Sequence, residues 1–91
     1  MTNSTTIDAL NSLTGFSNAA QVTYFECTRR KRDGSSHEII VEVHDHGEKA
    51  PRDTRYGVFA RDKFDPSKRA SSNGGANIQT AIAVAHWGDL G

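Results

Sequence analysis

Cysteine is almost missing from this chain: Cys27 stands alone among 91 residues. A single thiol forms no intramolecular disulfide, so the chain suits a reducing cytosol. Charge of one sign is missing too, since eleven Lys and Arg balance eleven Asp and Glu. A neutral chain lacks the acidity of a DNA mimic, and it lacks the positive excess of a generic nucleic-acid binder. No apolar run approaches the roughly 18–20 residues of a membrane span. The opening Met1-Thr-Asn-Ser-Thr-Thr6 has neither the basic start nor the apolar stretch of a signal peptide, so a cytosolic location is expected. No internal repeat is visible. Hydrophobic residues are scarce at 35%, against about 45–50% in a typical domain when Gly is counted. A chain of this size buries roughly 60–65% of its unfolded surface. A single domain over residues 1–91 with a thin core is expected, with residues 1–4 and 62–76 flexible.

What is present is a change of period. Residues from Gln21 to Arg61 follow the two-residue repeat of strands, whereas Asn77-Ile-Gln-Thr-Ala-Ile-Ala-Val-Ala-His-Trp-Gly88 follows the 3.6-residue repeat of a helix. Val, Thr, Tyr and Phe mark Gln21 to Arg29 as a first strand, although neither of its faces is cleanly polar. Asp33-Gly34 is a turn signal. The second strand, His37 to Asp45, alternates well, and Ile39, Val41 and Val43 form its core face. Arg55 to Arg61 makes a third strand, followed by a long connection over 62–76. In the last helix Ile78, Ala81, Ile82, Val84 and Ala85 fall on one side, with Ile82 packed on Ile39, Val41 or Val43. A short helix capped by Thr5 or Thr6 and ending near Leu13 precedes the strands. The expected fold is α+β: a three-stranded antiparallel sheet packed against a C-terminal helix.

Few side chains suggest chemistry. Arg29, Arg30, Lys31 and Arg32 gather four cations at a hairpin tip. Such a tip suits phosphates, an acidic protein surface, or simply the solubility of a strand edge. Trp87 suits an interface anchor or a lid over the helix end. Glu42, His44 and His46 alternate on one face, but without a Cys pair or a second His cluster they read as surface residues rather than zinc ligands. Cys27, in Phe-Glu-Cys-Thr, lacks the setting that lowers a thiol pKa. Ser71-Ser-Asn-Gly-Gly75 has no Walker lysine and no complete Gly-rich fingerprint. No acid pair with a supporting base is visible, so no enzyme, cofactor or metal is expected.

Val22-Thr-Tyr-Phe-Glu26, Gly34-Ser-Ser-His-Glu-Ile-Ile-Val-Glu-Val43 and Ala85-His-Trp-Gly88 resemble segments of small phage-encoded anti-CRISPR proteins that act on type I surveillance complexes. These runs cover about a third of the chain. The resemblance implies a non-enzymatic inhibitor in the host bacterial cytosol. Its partner would be a protein subunit of a CRISPR-Cas surveillance complex, and it would block target DNA binding or nuclease recruitment. Arg29, Arg30, Lys31, Arg32 and Trp87 are then the candidate partner-binding residues, with no membrane partner and no free nucleic acid expected. The order of elements also resembles a double-stranded-RNA-binding domain, with Gly34-Ser-Ser-His37 at the place of that family's Gly-Pro-x-His loop. That family opens its last helix with lysines; here the positions read Asn77, Ile78 and Gln79, which removes the phosphate contact.

Overall fold

The alternation that marks strands in the sequence builds an antiparallel meander of four strands. In the computed structural model, which describes residues 4–72 and 74–91, the elements are α1 (Ser4–Asn11), β1 (Gln21–Arg30), β2 (Ser36–Asp45), β3 (Tyr56–Asp62), β4 (Arg69–Ser71) and α2 (Ile78–Ala83). Short 3-10 turns lie at Arg52–Thr54 and Trp87–Leu90. The strand order is β1-β2-β3-β4, each pair antiparallel. The fold is therefore α+β as expected, but with four strands. The fourth lies inside the 62–76 connection. Three residues are too few to give a periodic signal, and only pairing with β3 (Phe59 opposite Ser71, Arg61 opposite Arg69) makes them a strand. The chain then stays beside β3, where Ser72 N–H donates to Val58 O at 2.9 Å and Gly75 forms a bridge with Tyr56.

The core face of β2 is the expected one. Ile39, Val41 and Val43 are buried, joined by Val58 and Ala60 of β3, Ala70 of β4, Ala81 of α2 and Leu90. Asp45 continues the same row and is buried, but charged. Its carboxylate accepts from Arg55 Nε at 2.9 Å, Arg55 Nη2 at 3.3 Å and Gly47 N–H at 2.9 Å, and so pins the connection between β2 and β3. At this end α1 buries Ile7, while Leu10 and Leu13 stay exposed.

α2 differs from expectation in length and orientation. It is six residues long, capped by the Asn77 side chain accepting from Thr80 N–H at 2.8 Å. Gly75 lies so close that a methyl group added there would sit 2.8 Å from Ala81 N. That approach selects the smallest side chain, so Ala81 takes the fully buried position. Ile82, expected in the core, stands 39% exposed. Ile78 and Val84 are exposed as well.

The protein is elongated, with extents of 49 × 23 × 21 Å and a radius of gyration of 14.8 Å, against about 12 Å for a typical 91-residue domain. It exposes 6299 Å², where about 5,200 Å² is usual for a folded monomer of this mass. One short helix is too small to cover a sheet whose long strands have ten residues. Among the described residues, no helix is long and apolar enough to cross a membrane.

Candidate interaction surface

The uncovered part of the sheet lies over β1 and β2. α2 packs on β3, and the turn at Trp87–Leu90 packs on β4, tied by His86 N–H donating to Ser71 O at 3.1 Å. Between α2 and β1 an apolar groove of about 400 Å³ stays open. β1 supplies Thr23, Phe25 and Cys27; β2 supplies Val41 and Val43. Ile78 and Ile82 form the opposite wall, and Trp87 closes one end. So Ile82 faces Val41 and Val43 across a gap instead of packing on them.

β1 leaves this face open because it is the sheet's edge. It pairs only with β2, from Gln21 opposite Asp45 to Arg30 opposite Ser36. No residue of β1 is buried. Phe25 is 54% exposed on the groove face, and Tyr24 is 63% exposed on the other. That both faces of the strand lack a clean polar pattern is the sequence signal of this position. A strand with one side in a core shows one apolar and one polar face.

The basic residues continue from the groove. Arg29 follows Phe25 and Cys27 on the same face, at period two, and lines a second small hollow with Cys27, Ile39 and Trp87. Its Nη1 donates to Gly91 O at 2.6 Å, which leaves it half-buried rather than free at the tip. Arg30 and Arg32 are exposed, and Lys31 is half-buried at the hairpin base, where its N–H donates to Ser35 O at 2.9 Å. The tip is a firm turn. Gly34, at φ 87°, donates to Lys31 O at 3.0 Å, and the Asp33 carboxylate accepts from Ser35 N–H and Oγ. The Ser35 hydroxyl, then the Ser35 N–H, hold the Asp33 carboxyl below the usual carboxylate range. Two of the four cations, Arg30 and Arg32, are thus exposed at this end of the sheet, with Arg30 on the Tyr24 face by the strand's alternation.

Trp87 is half-buried against the core, and its Nε1 donates to Ile82 O at 2.9 Å. That bond adds a side-chain donor to a carbonyl near the helix end that also accepts from Ala85 N–H at 3.3 Å. Trp87 therefore serves as the lid on the helix end and as a wall of the groove at once.

The opposite face mixes exposed Val22, Tyr24 and Phe59 with polar side chains that pair among themselves. Glu42 accepts from Arg61 Nη1 at 2.8 Å and contacts His44 Nε2 at 3.3 Å; the His44 ring tilts onto Phe59 with centroids 4.7 Å apart. Lys63 Nζ sits 3.0 Å from Glu26, which raises the lysine pKa. Among the described residues, no three His, Cys, Asp or Glu side chains are grouped to hold a metal ion. In the run before α2, the N–H groups of Ser72 and Gly75 are both taken by β3 carbonyls. Compared with protein-family models, curated proteins and solved structures, the chain finds no match.

Proposed function

We propose that this chain is a protein-binding inhibitor that docks through the groove between β1, β2 and α2, with Arg30 and Arg32 reaching an acidic patch beside it. The observation that supports this reading is the open apolar face itself. Phe25, Ile78 and Ile82 line it at exposures of 54%, 42% and 39%. Interfaces favour an apolar centre with a charged rim, and the groove ending at Arg29 with the tip beyond it has that layout. The partner that fits is a protein surface with an apolar ridge and neighbouring carboxylates, which Arg forks grip bidentately.

The resemblance to type I anti-CRISPR proteins supplies the identity of that partner: a protein subunit of a crRNA-guided surveillance complex in a bacterial cytosol. Occupying that subunit would block target DNA binding or nuclease recruitment without any catalytic step. The test measures target-DNA binding and nuclease recruitment by purified type I complexes, with and without the protein. Inhibition that saturates at one stoichiometric ratio supports the proposal. Unimpaired complexes together with tight, salt-sensitive binding of free duplex RNA would favour the double-stranded-RNA-binding alternative.

A further inference from the structure

β1 is a long and lightly guarded edge. The opposite edge, β4, has three residues; β1 has ten, with no Pro or Gly, and its register with β2 runs without a bulge. Soluble proteins normally blunt such an edge with a proline, a bulge, a short strand or an inward charge. Here the charges are already paired: Glu26, at the middle, is engaged with Lys63, and Arg29, near the end, with Gly91. Apolar side chains stand on both faces, Val22 and Tyr24 on one and Phe25 on the other.

We propose that β1 pairs antiparallel with β1 of a second copy of this chain, about a two-fold axis at Phe25. A two-fold axis perpendicular to the sheet keeps each face on its own side. Opposed residues must then share a face, so the axis passes through a residue and not between two. With the axis at Phe25, residues 21–29 of each copy are paired. Phe25 opposes Phe25, Thr23 opposes Cys27, Tyr24 opposes Glu26, Val22 opposes Thr28, and Gln21 opposes Arg29. No like charges meet, and an aromatic pair stands at the centre. Moving the axis to Glu26 sets two carboxylates face to face. Moving it to Cys27 places Arg29 against Phe25 and Arg30 against Tyr24, and shortens the ladder. Charge and length together select Phe25.

The exposed parts of Phe25 and Tyr24 offer about 230 Å² per copy, taking roughly 200 Å² for an aromatic side chain. That is well below the roughly 800 Å² a side of a standard interface, so the main-chain ladder carries the association and the dimer is reversible. Pairing makes one eight-stranded sheet with both grooves open on the same side. The dimer therefore does not depend on the identity of the partner proposed above.

Sedimentation over a concentration series, with a cysteine cross-link, tests the register. Opposed Cα atoms in an antiparallel pair lie about 4.5–5.5 Å apart, within disulfide reach. Thr23→Cys should give a covalent dimer on mild oxidation. The wild type should give none, because the two Cys27 positions would lie about 13 Å apart along the strand. Phe25→Asp, which sets two carboxylates on the axis, should sediment as a monomer with an unchanged circular dichroism spectrum. Monomer alone for the wild type up to about 1 mM would overturn the proposal. So would a wild-type Cys27 cross-link, a dimer that Phe25→Asp leaves intact, or a dimer that Thr23→Cys fails to trap.

Discussion

Gly75→Ala tests the docking of α2, on which the shape of the groove depends. The added methyl would stand 2.8 Å from Ala81 N, 3.1 Å from Ala81 Cα and 3.3 Å from Ala81 Cβ. Two of these are backbone atoms, so no rotamer change relieves the contact. Gly75 cannot retreat freely, because its N–H donates to Tyr56 O at 3.0 Å and its carbonyl accepts from Tyr56 N–H at 3.3 Å. Ala81 cannot retreat without exposing a fully buried position. Overpacking costs about 1–3 kcal/mol, and backbone on both sides puts this case near about 3. A domain of this length loses about 4–8 °C of melting temperature per kcal/mol, so the variant should melt roughly 12–24 °C below wild type. Thermal unfolding followed by circular dichroism measures it. Gly88→Ala is the control, since a methyl there meets nothing within 4 Å. If Gly75→Ala melts within about 2 °C of Gly88→Ala, α2 does not rest on the Gly75 backbone and the groove is drawn wrongly.

Asp45→Ala should cost about 2–3 kcal/mol by chemical denaturation, because it strips a buried partner from Arg55 and a cap from Gly47 N–H. Asp62 is held below the usual carboxylate range chiefly by Phe64 N–H, with burial opposing and Asp65 N–H and His37 assisting. A carboxylate depressed on folding stabilises above its unfolded pKa of about 4 and loses that contribution as pH falls through the folded value. Melting temperature should therefore fall below about pH 4, and Asp62→Asn should flatten that fall. Arg30→Glu with Arg32→Glu should weaken partner binding yet leave the melting temperature unchanged, since both side chains are exposed at a turn; unchanged binding would return the tip to a solubility role.

The strands were legible because β2 alternates Ile39, Val41 and Val43 against Glu38, Glu42 and His44, with Ile40 alone out of pattern, and only one register buries the first set. The Asp33-Gly34 turn was legible for a local reason: it needs a positive φ and an Asp side chain that bonds its own loop. β4 was not, because Arg69, Ala70 and Ser71 have no pattern of their own and become a strand through β3. The helix was visible as a period, but its buried residue was not. Which of Ala81 and Ile82 faces inward is decided by Gly75, a contact that the helical period does not encode. The same choice turns Ile82 from a core residue into a groove wall. Of the candidate site, the exposed Arg30 and Arg32 followed from sequence, whereas the attachment of Arg29 to Gly91 and of Trp87 to Ile82 depended on tertiary placement.

The most direct test of the groove as a docking face compares two charge insertions in one binding titration against a type I surveillance complex. Ile82→Asp changes the groove wall; Phe64→Asp changes a more exposed apolar residue, 77% accessible, at the β3–β4 turn away from it. Both should fold, because neither side chain is buried. The account predicts that Ile82→Asp weakens binding at least about tenfold, or about 1.4 kcal/mol, while Phe64→Asp binds as wild type does. Wild-type affinity for Ile82→Asp, with a loss for Phe64→Asp, would contradict it.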